Sequence, residues 1–280
     1  MYGSQARKES KVKKTNFNSL TMGMRCISVA VLPLVILLGA LVDVKADEAD
    51  AKKMMKAMSD YMAGQKAISF AYDSVFEVVT KDHQTIGLAS SGTIMMRRPD
   101  KIRATRSGGF ANVEMLFDGK MLTMFGKNAN AYAQMDFTGT IDQLIDELKN
   151  KHDRPLPAAD LLMTDVYGQL MPDVTDIKDL GSGVIGGIEC DHFAFRNKEV
   201  DWQIWIAQGA NPYPARYVIK SVKVADGPSY SIQIRDWKTG DQVAADDFGF
   251  PNATKAKKID GKDIPEMDEM PKHFKMGDAK

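Results

Sequence analysis

Residues 92–125 decide the fold. They read Gly92-Thr93-Ile94-Met95-Met96-Arg97-Arg98-Pro99-Asp100-Lys101-Ile102-Arg103, a glycine pair at Gly108 and Gly109, then Met115-Leu116-Phe117-Asp118-Gly119-Lys120-Met121-Leu122-Thr123-Met124-Phe125. Asp-Gly between apolar, β-prone runs is a strong hairpin signal, because a type I′ turn needs positive φ at both central residues. A sheet therefore doubles back at Asp118-Gly119. Pro99 has no amide hydrogen for a ladder, so it ends a strand and leaves Arg97 and Arg98 on the last residues of that strand. Neighbours in a strand face opposite sides, so one arginine points to each face. If one face is the inside of a curved, apolar sheet, a guanidinium sits there too.

Strand signals extend on both sides of this stretch. Ile68, Phe70, Tyr72, Phe76 and Val78 alternate with Asp73, Glu77 and mostly smaller residues, the period of a strand with one buried face. Lys81-Asp82-His83-Gln84 turns the chain, Thr85 to Met96 returns, and Ala131 to Met135 continues the meander. No long crossover interrupts this half, so its pairing is expected to be antiparallel. Asp47 to Lys66, with Ala51, Met54, Met58, Tyr61 and Met62 at helical spacing, reads as a helix whose methionines lie on the sheet. Thr140 opens a second helix with a capping box completed by Gln143, and Ile141, Leu144, Ile145 and Leu148 form its narrow apolar stripe. Ala158 to Met171, with Leu161, Leu162, Val166, Leu170 and Met171, reads as a third helical segment. Helices set between two groups of strands can plug or lid a curved sheet, or simply cap its core.

Beyond them, Asp179 to Gly187 reads as glycine-rich turn sequence. Strands follow at Ile188 to Arg196, Trp202 to Ala207, Arg216 to Val224, Tyr230 to Trp237 and Phe248-Gly249-Phe250. Trp202, Ile204 and Ile206 share one face and Trp205 takes the other, so both faces are expected to be partly covered. Residues 253–280 are charged, contain Pro265 and Pro271, and read as a loosely ordered tail.

The N-terminus has the form of an export signal. Arg7, Lys8, Lys11, Lys13, Lys14 and Arg25 stand against the single acid Glu9, the apolar run Cys26 to Val42 follows, and Val44-Lys45-Ala46 offers a small-residue exit. An uncleaved anchor is the alternative, but the run is at the short limit for crossing a bilayer. Cleavage after Ala46 is expected, leaving one domain over 47–252 and the tail. Residues 1–46 hold seven Lys/Arg and two Asp/Glu of the 37 of each in the chain, so the mature part is net negative by five. That argues against a nucleic-acid partner. Cys190 alone survives cleavage, so no internal disulfide can form.

Catalytic sets are weak. Cys190-Asp191-His192 places a thiol, an acid and an imidazole in sequence, but side chains adjacent on one strand diverge, whereas nucleophile and base normally converge from separate elements. The histidines His83, His152, His192 and His273 have no metal-ligand spacing. Gly181-Ser182-Gly183 and Gly186-Gly187 precede a strand instead of following one, unlike phosphate loops. No cofactor, metal or enzymatic activity is expected. Methionine is abundant, 18 in all, and unbranched thioethers suit either a core or a wall that adapts to variable acyl chains.

The order Gly-x-Ile-x-Met-Arg-Arg-Pro, then Arg103, then Asp118-Gly119-Lys120 before an apolar strand resembles the LolA-like carriers of the bacterial periplasm. Ala89 to Lys127, Gly139 to Lys149 and Asp179 to Ile219 are similar to a family of predicted periplasmic proteins of uncharacterised function. The resemblance implies an α+β fold: an incomplete antiparallel β-barrel, or half-barrel, with helices on its concave side. It implies that Arg98, directly before the proline, lies inside the half-barrel and hydrogen-bonds to the lid, with Arg97 and Arg103 outward. The ligand is then a lipid or acylated protein held in a concave apolar cavity. The wall residues expected there are Met96, Met115, Phe117, Met124, Trp202 and Ile204, and the lid residues are Ile141, Leu144, Ile145, Leu148, Leu161 and Leu162. A monomer is expected, with an envelope protein and transient membrane contact as further partners. The alternative is an envelope sensing or interaction module that carries nothing.

Overall fold

The computed structural model describes residues 44–261 apart from 110 and 153–155, with side chains from residue 48 onward. The export signal expected over 1–46, except its last three residues, and the tail beyond 261 lie outside the described residues. Helix α1 spans Val44–Gly64. Strands β1 (Ala67–Val79), β2 (Thr85–Arg97), β3 (Lys101–Gly108), β4 (Asn112–Phe117), β5 (Met121–Gly126) and β6 (Ala131–Asp136) follow. Helix α2 (Ile141–Asn150), a 3-10 turn (Ala159–Leu162) and α3 (Val166–Leu170) then separate them from β7 (Asp176–Ile185), β8 (Ile188–Arg196), β9 (Val200–Ala207), β10 (Pro214–Ser221), β11 (Ser229–Thr239) and β12 (Lys257–Lys258).

All twelve strands form one sheet in the order β12-β6-β5-β4-β3-β2-β1-β11-β10-β9-β8-β7. It is an open, unclosed sheet, antiparallel throughout except that β12 joins β6 in parallel. This is the α+β incomplete barrel expected from the sequence. The two meanders meet where β1 pairs with β11, Tyr72 opposite Ile234 and Asp73 opposite Gln233. Ile68, Phe70 and Tyr72 of β1 turn to the inner face, where α1, α2, the 3-10 turn and α3 join them in one apolar cluster. The α1 stripe that is buried is Ala51, Met55, Met58 and Met62, while Met54 is only half-buried.

Several elements differ from the sequence reading. The Asp118-Gly119 hairpin is present, but only Gly119 has positive φ, at 94°. Asp118 instead uses its carboxylate to accept from the amides of Lys120 and Met121 at 2.9 and 2.8 Å, making a longer turn. The glycine-rich stretch expected as a turn is strand β7, irregular between Asp179 and Ser182. A methyl at Gly183 would stand 3.1 Å from the Trp205 indole nitrogen, so glycine lets that ring lie on the backbone. The helix expected over 158–171 breaks at Met163–Asp165. Asp165 caps α3 by accepting from Gly168 N at 2.9 Å, and the backbone between the pieces bonds to side chains elsewhere.

Phe248-Gly249-Phe250, expected as a strand, joins no ladder: Phe248 has φ 57° and is buried. This C-terminal segment covers the outer face of β3–β6. Phe250 packs on Phe125 and Tyr132 with centroids 5.3 and 4.8 Å apart. Arg103 anchors it, donating from Nε to Asp246 Oδ2 at 2.7 Å and from Nη2 to Oδ1 at 3.0 Å, with Glu114 accepting from Nη1 at 2.6 Å. Residues 253–261, expected as loose tail, return to the sheet: Lys257 N donates to Asn130 O at 2.9 Å and Ile259 N to Tyr132 O at 2.8 Å. Pairing of backbone groups at the β6 edge holds them despite their charge.

Burial disfavours the charge on Asp246, but its bonds from Arg103 and the Phe248 amide outweigh that and hold its carboxyl below the usual range. Glu114 is held low by Arg103 and Lys127, again against desolvation. Carboxyls depressed in the folded state stabilise it above the ordinary carboxylate pKa of about 4, and the contribution disappears as pH falls further. Arg103→Met is therefore expected to cost about 2–3 kcal/mol at neutral pH and to flatten the loss of stability below about pH 4. Urea unfolding across pH measures both.

Candidate functional site

The candidate site begins at the Arg97-Arg98-Pro99 strand end. β2 ends at Arg97, and Arg98, expected as its last residue, opens the turn instead; the two side chains still part, one to each face of the sheet. Arg97 donates toward Ala244 O at 3.4 Å in the outer segment. Arg98 turns in under the helices, with a side chain only 10% exposed. Its backbone amide donates to Lys66 O at 2.8 Å, and Pro99 O accepts from Ile141 N at 2.8 Å, so this dipeptide ties α1's exit to α2's first turn.

The guanidinium spans the gap where the third helical segment breaks. Nη1 donates to Thr164 Oγ1 at 3.1 Å and Nη2 to Met163 O at 3.2 Å. Asp142, in the first turn of α2, stands 3.9 Å from Nη1 and accepts from Thr164 N at 3.1 Å through both oxygens. Thr140 and Gln143 close the capping box that fixes this turn. Arg98 Nε is buried and has no hydrogen-bond partner among the described residues. Desolvation lowers the Arg98 pKa, countered by Asp142. One cation therefore bridges the break at Met163–Thr164 and faces the first turn of α2, with one of its three nitrogens, Nε, unpaired among the described residues.

The expected wall and lid residues, Met124 apart, come together as a packed layer. Met96, Phe117, Trp202 and Ile204 are fully covered, and Met115 and Met124 are half-buried. Opposite them lie Ile141, Leu144, Ile145, Leu148 and Leu161, all buried, with Leu162 partly so. The concave cavity expected from the sequence is thus occupied, along these residues, by the chain's own helices. Trp202 stacks on Phe195 at 4.0 Å and meets Tyr217 edge-on at 5.8 Å. A depression of about 180 Å³ beside this layer is lined by Glu48, Lys52, Tyr167, Met171 and Ile177, where α1 meets α3 and β7.

The Cys190-Asp191-His192 set does not assemble. Cys190 is buried, its thiol lies 3.4 Å from Ile188 O, and burial pushes its pKa up. His192 stacks on Trp205 with centroids 3.9 Å apart and bonds to Gln203 Oε1 at 3.0 Å. Among the described residues, no group of three or more His, Cys, Asp or Glu is placed to hold a metal.

The family model described as "Predicted periplasmic protein (DUF2092)" matches residues 51–261. The chain belongs to this family. Among solved structures, the DUF2092 chain is similar to the Mycobacterium tuberculosis lipoprotein LppX, at 13% identity over 70% of this chain and 100% of that one, TM-score 0.36. It is similar to a chain of the Pseudomonas aeruginosa MucA/MucB complex, at 17% identity over 71% of this chain and 62% of that one, TM-score 0.40. A LolA superfamily protein from Nitrosomonas europaea matches at 11% identity over 71% of this chain and 99% of its own, TM-score 0.33. No curated protein matches.

Arg98→Met should leave Met163 O and Asp142 without their cation. Amide hydrogen exchange at Thr164 and Val166 is then expected to rise about tenfold or more while the β1–β2 amides stay protected. Cys190 should react with a thiol reagent only on unfolding, which a labelling time course in increasing denaturant would follow.

Proposed function

We propose that this DUF2092 protein is a periplasmic binding or carrier protein for a lipid or an acylated protein, exported by a signal peptide cleaved after Ala46. The observation that carries this reading is the Arg98 clasp: a buried guanidinium, one donor unused, holding two helical segments over an apolar inner wall. A cation in that position is an expensive way to close a core, and it matches the lid-facing arginine implied by the resemblance to LolA-like carriers. In this reading the described structure is the closed state. Loading displaces α2 and the 3-10 turn outward and presents Met96, Phe117, Trp202 and Ile204, with Met115 and Met124 beside them, to acyl chains. Each methylene buried there contributes roughly 0.8 kcal/mol, which offsets the lost contacts of Ile141, Leu144, Ile145, Leu148, Leu161 and Leu162. The unused Arg98 Nε is then a donor for a head group or a rearranged lid carbonyl. No cofactor and no catalysis are part of this role, and the protein acts as a monomer that touches membranes transiently.

A second reading, a sensing or interaction module that carries nothing, is favoured by one observation: the inner wall is already filled. Native mass spectrometry of protein purified from a cell envelope separates the two. The carrier role predicts co-purifying mass that acyl analysis identifies as lipid, and a folded Arg98→Leu variant with altered retention of it. A clean apo mass from freshly isolated envelopes supports the interaction module instead.

A further inference from the structure

The outer face of the sheet carries a row of side chains that neither the lid nor the inner wall uses. Strand register sets His192 opposite Trp205, Trp205 opposite Arg216, Arg216 opposite Gln233, Gln233 opposite Asp73, Asp73 opposite Ser91 and Ser91 opposite Ser107. One line of residues thus crosses seven strands from β8 to β3. The β7–β8 hairpin curls over one end of it: a methyl at Gly186 would stand 4.0 Å from Gln233 Nε2. The result is a groove of about 450 Å³ lined by Asp73, Ser91, Ser107, Arg216, Ser231 and Gln233, with Val75 and Ala89 at its apolar floor.

Arg216 is out of balance in this groove. Its guanidinium carbon lies 5.5 Å from the Trp205 ring centre, and that indole also stacks with His192, centroids 3.9 Å apart. A cation over a ring uses the face of the guanidinium and leaves its in-plane donors free. The Nε of Arg216 is buried with no hydrogen-bond partner among the described residues, and a buried donor left unmet is costly. The acid across the groove does not meet it: Asp73 accepts from Arg235 Nε at 3.0 Å and from Ser91 Oγ. Its charge is compensated there, so it does not repel an anion at Arg216, and its remaining lone pairs accept from hydroxyls.

We infer that this groove binds a small hydroxylated carboxylate of the sugar-acid class, with its carboxylate on the Arg216 fork and its hydroxyls on Ser231, Gln233, Ser91 and Asp73. A planar carboxylate matches the two parallel donors of a guanidinium. Serine and amide groups with one acid suit a polyol, and Val75 with Ala89 receives its C–H face. The site is independent of the lid, because it lies on the opposite face of the sheet.

Thermal melting and titration calorimetry of the full mature chain test this with four probes: D-glucuronate, D-glucose, acetate and inorganic phosphate. D-glucuronate should raise the melting temperature saturably, with glucose, acetate and phosphate each weaker by about tenfold or more. Arg216→Gln should weaken D-glucuronate by about tenfold or more, and Arg216→Lys should restore part of it. Ala89→Glu, at an exposed position away from the arginine's packing, should remove binding by like-charge repulsion. The inference is overturned if D-glucuronate gives no saturable effect, if glucose or phosphate binds as tightly, or if binding survives both Arg216→Gln and Ala89→Glu.

Discussion

A guanidinium taken out of water is costly unless its donors and charge find partners, and at Arg98 those partners come from the helical side of the molecule. Two of its nitrogens are met by Met163 O and Thr164 Oγ1, and Asp142 supplies the countercharge. To present those groups, the chain between the 3-10 turn and α3 must leave helical geometry, and α2 must start where its first turn faces the strand end. Pro99 fixes the latter through its carbonyl to Ile141. The break in the third helical segment and the first turn of α2 thus both face one charge just beyond the end of β2.

The opposite face follows a similar rule with a different outcome. Arg103, on β3, is met by Asp246 and Glu114 and pins a segment with no regular structure over β3–β6. Here the cation is fully satisfied, and the segment adds Phe248 and Phe250 to cover outer-face rings. The contrast is informative. At Arg103 the donors close on the protein's own carboxylates, which is what a permanent cover requires. At Arg98 the hydrogen-bond partners are neutral, the carboxylate of Asp142 stands at 3.9 Å, and Nε is unpaired among the described residues.

Where local chemistry settles local structure, the sequence was legible. Period-two alternation from Ile68 to Tyr72 gave β1, Thr140 with Gln143 gave the start of α2, and the Arg-Arg-Pro strand end placed one arginine on each face. The lid and wall residues were identified as apolar positions, and the structure brings them together, but whether they enclose space or fill it depends on how closely helices approach, which no single residue encodes. The misses share a cause. Asp179 to Gly187 looks like a turn because of its glycines, one of which, Gly183, answers to Trp205, a residue further along the chain. Phe248-Gly249-Phe250 reads as a strand because nothing local shows that Asp246 answers to Arg103, 143 residues away. The row on the outer face was invisible for the same reason, since Arg216 and Asp73 become neighbours only through the register of β11. A tryptophan expected on that face was the one hint that something covered it.

The junction between β1 and β11 has a consequence for biogenesis. The sheet is continuous only because residues near its start pair with residues near its end, Phe76 with Tyr230 among them. Such distant pairing is slow to form, and neither meander can join its partner until nearly the whole chain is present.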